Sequence, residues 1–213
     1  MLTPNYGATP ITGDELEALL PQARQLLDEP ITKSDVYDLE QGIEEDVTAT
    51  LLDEVSSGTR TLATLLSDHC LRELHRSLYG EIWQWAGAFR GRELSIGIDP
   101  AQIAVQLNAS MGNIHYRWEN TQDWTAHQLG IAVHAEAVRI HPFTDGNGRS
   151  TRLLANLVYV AAQVITGQVS SELMLYDFLQ IDRDNYIAQL REYDKSRDAV
   201  GVASIVGVRR LSV

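Results

Sequence analysis

The chain has one cysteine and two lysines in 213 residues. A single thiol, Cys70, excludes an internal disulfide and suits a reducing compartment. The expected location is therefore the cytoplasm, although the same scarcity also suits a protein injected into another cell. Met1 to Pro10 has neither the basic start nor the apolar stretch of a signal peptide. No apolar run approaches the roughly 20 residues that a membrane helix needs, so no membrane association is expected. The lysines, Lys33 and Lys195, lie outside any Gly-Lys-Ser/Thr sequence, which excludes a P-loop. With so little cysteine, and His134 and His141 seven apart, a zinc cluster lacks its ligands.

Positive charge is also scarce. The 17 basic side chains face 29 acidic ones, for a net charge of −12. Residues 1–60 hold 13 acidic and 3 basic side chains, and the rest hold 16 and 14. Nucleic acid is therefore not an expected partner, because that affinity rests on phosphate neutralisation by Lys and Arg. Residues 1–58 read as an acidic helical segment, either a solvated surface or a regulatory element against the basic loop described below. Residues 59–213 form the remaining domain.

Helical spacing dominates. Leu16, Leu19 and Leu20 follow Thr12-Gly-Asp-Glu15 as a short helix, and Val36, Leu39, Ile43, Val47 and Leu51 mark a longer one. Thr32 or Ser34 is its expected N-cap. A further helical pattern runs from Leu62 to Trp85, with Trp83 and Trp85 read as core filler. Arg92-Glu-Leu-Ser-Ile96 alternates polar and apolar residues between glycines, so residues 89–99 read as a small hairpin or flap. Pro100 opens another helix, one more ends at Ile140, one covers residues 152–166, and a last runs from about Ser171 through Tyr193. The fold class is all-α with one short flap.

Between two of these helices stands His141-Pro-Phe-Thr-Asp-Gly-Asn-Gly-Arg-Ser-Thr-Arg152. Pro142 disfavours helix at His141, and the following glycines permit a tight turn into the next helix. His141 is the natural general base, having an unperturbed pKa near neutrality. Phe143 is expected to point inward and anchor the loop. Asp145, either a turn-forming residue or a ligand, would face phosphate comfortably only through a cation such as Mg²⁺. Gly146, Asn147 and Gly148 offer close backbone approach and an amide for phosphate oxygens. Arg149 and Arg152 share a helix face, where both could grip a polyphosphate. The pattern reads as phosphoryl or nucleotidyl chemistry.

HPFTDGNGRSTR resembles the complete signature of the Fic (filamentation induced by cAMP) domain, His-x-Phe-x-(Asp/Glu)-Gly-Asn-Gly-Arg-x-x-Arg. LHRSLYGEIWQWAGAFR, GRELSIGID, VHAEAVRIHPF and DRDNYIAQLREYDKSRD also resemble Fic-domain segments, and GATPITGDELEALLP is similar to Fic proteins of the mobile mystery protein B type. The resemblance implies a Fic-type helical bundle with a β-hairpin flap that transfers AMP from ATP to a Ser, Thr or Tyr hydroxyl of a target protein. It makes His141 the base, Asp145 the Mg²⁺ ligand and Gly146 to Arg149 the anion hole. Arg152 would hold the terminal phosphate. Arg92, Glu93, Leu94, Ser95, Ile96, Gly97 and Ile98 would hold the target chain by strand addition. The same cradle would serve transfer of another nucleotide or phosphate-containing group, or an inhibited nucleotide-binding regulatory module.

Many members carry a restraining helix with the pattern (Ser/Thr)-x-x-x-Glu-(Gly/Asn). Here Glu40 comes nearest in the N-terminal segment, with Val36 and Gln41 at the flanking defined positions, and Thr50 to Glu54 has the spacing but ends in Val55. The expectation is that Glu40 restrains Arg152, against the competing reading of an ordinary surface glutamate. Without such a brake, an antitoxin-like partner, as in a toxin–antitoxin pair, would supply the restraint.

Overall fold

The computed structural model describes residues 10–167 and 172–211. Most of the arm expected over residues 1–11 lies outside them, as does Ser171. Two short helices, α1 (Asp14–Ala18) and α2 (Pro21–Gln25), precede the long α3 (Lys33–Ser56). Thr32 caps α3 in a reciprocal box. Its hydroxyl accepts from the Asp35 amide at 3.3 Å, and the Asp35 carboxylate accepts from the Thr32 amide at 2.8 Å. Both amides would otherwise be unpaired at the helix start.

The helix expected from Leu62 to Trp85 is instead two helices and a turn. These are α4 (Leu62–Leu65) and α5 (Asp68–Tyr79). The Ser67 hydroxyl accepts from the Cys70 amide at 3.0 Å, starting a new helix within the apolar run. Past Gly80 the chain turns, and Trp83 and Trp85 stack on each other at 5.3 Å. Hydrophobic spacing continued across a break that the cap imposes.

α6 (Ile103–Asn120), α7 (Ala126–Ile140) and α8 (Asn147–Ile165) complete the centre. α7 is buried on nearly all sides, and Leu129, Val133, Ala137 and Ile140 pack in one core with Leu154, Leu157, Val158 and Ala161 of α8. A helix apolar all round belongs at the middle of a bundle. Around it, Ile11, Leu19, Ala23, Ile31, Val36 and Ile82 form a second small core. The turn after α5 ties into it through Leu20 N–H to Ile82 O at 2.8 Å and Gln84 N–H to Ala18 O at 3.0 Å.

The strand expectations need correction. Residues 92–96 form no strand, although their side chains alternate. The sheet among the described residues is instead β1 (Met174–Asp177) against β2 (Gly207–Arg210), antiparallel, with Met174 opposite Arg210 and Asp177 opposite Gly207. Strands exist by pairing, and alternation alone supplies no partner. β1 also displaces the helix expected from about Ser171. Helix resumes only at α9 (Arg183–Ser196), where Asp182 accepts from the Asn185 amide at 2.8 Å, and α10 (Val200–Ile205) follows. No helix among the described residues is long and apolar enough to cross a membrane.

Leu154 is fully buried between α8 and its neighbours. Leu154→Ala should lower unfolding stability by about 2–5 kcal/mol, read from the urea midpoint at constant denaturant slope.

Candidate active site

α7 ends at Ile140 and α8 begins at Asn147, so six residues must reverse the chain between two packed helices. Two of them leave the common backbone regions: His141 is left-handed at φ 53°, and Gly146 lies at φ 71°. His141 stays in this conformation while its amide still donates to Ala137 O at 3.0 Å, closing the α7 terminus. A Cβ on Gly146 would stand 2.5 Å from the Tyr79 ring, so this position has no room for a side chain.

Asn147 locks the turn. The Phe143 amide donates to Asn147 Oδ1 at 2.9 Å, and Asn147 Nδ2 donates to Phe143 O at 2.8 Å. Both ends of the amide are therefore spent on the loop itself, and the side chain is buried. The expectation that this amide would face phosphate oxygens is corrected: Asn147 holds the cradle's shape.

His75, on α5, braces the other side. Its Nδ1 accepts from the Gly87 amide at 2.9 Å, which places the ring proton on Nε2, and Nε2 donates to Asp145 O at 3.0 Å. The ring stacks on Phe143 at 3.7 Å. Burial holds its pKa down at about 4, so it is neutral at physiological pH. Phe143 itself is fully buried.

These braces leave the functional atoms outward. His141 is half-buried, with Nδ1 enclosed and without a hydrogen bond. Burial and the nearby Arg90 guanidinium depress its pKa, against smaller opposing pulls from the Val138 backbone and Asp145. Nε2 is the ring nitrogen left for a proton. Asp145 is exposed and spends Oδ1 on the Gly146 amide at 2.7 Å, keeping Oδ2 open. Gly146 brings no capping side chain to α8, so the first-turn amides of that helix have no side-chain acceptor. Gly148 is exposed among them, and the half-buried Arg152 guanidinium lies beside it. Among the described residues Arg152 has no hydrogen-bond or ion-pair partner. A helix start without a side-chain cap, beside a guanidinium, favours an anion.

Arg149 is occupied. Its Nη1 meets Glu40 Oε2 at 2.5 Å, and Trp83 Nε1 donates to Glu40 Oε1 at 2.6 Å. Glu40 is only 3% exposed, which removes the surface-glutamate reading. Its partner is Arg149 rather than the expected Arg152, because α3 crosses α8 one turn nearer the loop. Arg149 also lies 4.9 Å over the Tyr79 ring. A cavity of about 380 Å³ bordered by Glu40, Trp83, Trp85, Arg92 and Asp145 opens on one side of this pair. A groove of about 1000 Å³ reaching Arg149, Tyr37, Leu52 and Arg209 opens on the other.

Residues 92–98 lie largely exposed beside this turn, anchored at Arg90 N–H to Pro142 O at 2.9 Å and Ile98 N–H to Ile140 O at 3.3 Å. They are thus a loop pinned to the turn rather than a hairpin. Sequence reasoning did not single out His75 or Arg90. A histidine on the apolar face Leu71-Leu74-Leu78 was a readable signal for the first, whereas nothing local marked the second.

The bundle and the turn between α7 and α8 are similar to those of known Fic proteins. Residues 65–159 match the Fic/DOC family model. The chain is 30% identical over 127 residues to the protein adenylyltransferase Fic of Culex quinquefasciatus, covering 55% of this chain and 24% of that protein. The chain thus spans about a quarter of the length of that curated relative. The fold is shared with the BepC protein of Bartonella tribocorum, solved with bound AMPPNP, at a TM-score of 0.58 and 16% identity, covering 89% of this chain and all of that one. It is also shared with Fic-1 from C. elegans, at a TM-score of 0.51 and 24% identity, covering 76% and 47%.

Folding linkage gives a prediction for His75. It binds a proton with a pKa near 6.5 when unfolded and about 4 when folded, so stability is full above about pH 6.5 and lost as pH falls through about 4. His134, fully buried and held at about 3, acts in the same sense. Urea midpoints measured from pH 7.5 to 4.5 should fall, and His75→Gln should flatten that slope. Separately, Asn147→Asp removes the donor to Phe143 O, and should cost about 1–3 kcal/mol of stability in the same assay.

Proposed function

We propose that this chain transfers AMP from ATP to a Ser, Thr or Tyr hydroxyl of a target protein. The observation that carries the reading is His141, its pKa held down by burial, in the turn that leads into the uncapped start of α8, where Arg152 has no partner among the described residues. In this reaction Nε2 takes the hydroxyl proton as the oxygen attacks the α-phosphorus. The bond to the bridging oxygen breaks, pyrophosphate leaves, and a phosphodiester to the target remains. The first-turn amides of α8 and Arg152 hold the phosphates, and their fixed positions spare reorganisation during reaction. Mg²⁺ would neutralise phosphate charge, held by Asp145. The donor fits this role: Asp145 is an exposed carboxylate with one oxygen on the Gly146 amide, and Mg²⁺ commonly takes one or two carboxylates and completes its shell with phosphate and water oxygens. Residues 92–98 are the surface offered to the target main chain. The name of the Culex relative and the AMPPNP bound to BepC support the nucleotide assignment.

One observation favours an inhibited resting state. Glu40 holds Arg149 by a mostly buried ion pair and binds Trp83 as well, which keeps one of the two signature arginines from phosphate. Residues 1–58 then act as an internal brake, and restraint does not require an antitoxin-like partner. The reaction belongs in the cytoplasm of whichever cell holds the target.

Incubation with ATP labelled at the α or γ position decides the chemistry. Protein-bound α label that disappears in His141→Ala is expected, whereas γ label would establish phosphoryl transfer. Neither label in wild type or in a released variant would leave a binding module. Glu40→Gln and Glu40→Gly should raise self-labelling at least about tenfold, the scale of a charged contact worth about 1.4 kcal/mol. Unchanged labelling would remove the brake.

A further inference from the structure

We infer that Arg90 is a positioning residue that fixes His141 and the 92–98 loop as one rigid unit. This rests on the adenylyltransferase reading for its consequence, and on geometry for its substance. Arg90 is 3% exposed, and no carboxylate pairs with its guanidinium among the described residues. Every hydrogen bond it donates goes to main-chain oxygen. Nε donates to His141 O at 2.7 Å, Nη1 to Arg92 O at 2.8 Å, and Nη2 to Ile98 O at 2.5 Å and Ile140 O at 3.5 Å. The fork therefore clasps both ends of the loop and the carbonyl of the base.

Burying a cation without a carboxylate is costly unless its donors are met. Here they are met by carbonyls that have few other partners. His141 is left-handed, so its carbonyl points away from the α7 ladder, and Arg90 is the group that receives it. The loop closes on the same point. Gly97 has φ 99°, and a Cβ there would stand 2.6 Å from Arg90 Nη2 and 2.7 Å from His141 Cβ. Glycine is thus what lets the loop rest directly on the base and its brace. Together with the backbone hydrogen bonds from Arg90 N–H to Pro142 O and from Ile98 N–H to Ile140 O, target surface and base are held at a set separation. A target hydroxyl registered on residues 92–98 would then arrive at Nε2 by construction.

A planar five-donor fork does this and an ammonium does not, so Arg90→Lys is an informative change. It should raise KM for the protein target and lower kcat together, by about 100-fold in kcat/KM, the cost of an ångström-scale misplacement. ATP affinity, measured by calorimetry, should stay within about twofold because the α8 cradle is untouched. Arg90→Gln should do the same and also move the acid limb of the pH profile upward. Its charge depresses His141, and catalysis needs the neutral ring, so losing the charge makes the ring protonate at higher pH.

Two readouts do not depend on transfer: the His141 ring titration by NMR and amide exchange of residues 92–98. In Arg90→Gln the ring should titrate higher, and in both variants the loop amides should exchange faster. Gly97→Ala, in an exposed loop, should disturb the same pair without removing the buried cation. Absence of AMP transfer from both wild type and the released Glu40→Gly chain would overturn the adenylyltransferase reading alone. Unchanged loop exchange and an unmoved His141 titration in these variants, folded as judged by circular dichroism, would overturn the role of Arg90. Should both Arg90 variants fail to fold, unchanged exchange and titration in Gly97→Ala would overturn it equally.

Discussion

The site depends on one pair of hydrogen bonds, those between the Asn147 side chain and the Phe143 backbone. Two helices buried against each other are joined by six residues, and the joint carries a histidine, a carboxylate and a row of amides at once. An amide side chain that satisfies both a donor and an acceptor across the turn keeps the loop closed without an apolar plug. Phe143 can then face the core while Asp145 and Gly148 face outward. His75 repeats the arrangement from α5, neutral because it is buried, with one ring nitrogen taking an amide and the other giving to a carbonyl.

Division of labour between the arginines follows from this fixed turn. Arg149 lies where α3 crosses, beside Tyr79 and Glu40, and its charge is already answered. Arg152 lies over the amides with no partner among the described residues. Arg90 is the third, buried and spent on carbonyls. Three guanidinium groups within one site thus carry three environments: paired, open and structural. The environments set their roles more than their shared chemistry does.

Much of this was legible in the sequence. His141, Phe143, Asp145 and the glycines stand where their residue types imply, because turn chemistry is local and a signature of contiguous residues carries it. Helices α3, α7 and α8 followed from apolar spacing, and Thr32 from its capping pattern. What was not legible was long-range. The alternation at 92–96 suggested a strand, yet a strand is a pairing and its partner was absent. β2, fully exposed, had no pattern to read. Glu40 was found, but its partner was misassigned, since Arg149 and Arg152 are neighbours on one face and only the crossing of α3 separates them. Asn147 was given to phosphate because an amide suits both tasks.

The account's central claim is that this geometry serves nucleotide transfer to a hydroxyl. The most direct test is mass spectrometry of a lysate after the Glu40→Gly chain is supplied with ATP and Mg²⁺. The account predicts peptides carrying one AMP on a Ser, Thr or Tyr, absent when His141→Ala is combined with the same change. Peptides gaining only phosphate, or AMP adducts that persist without His141, would contradict it.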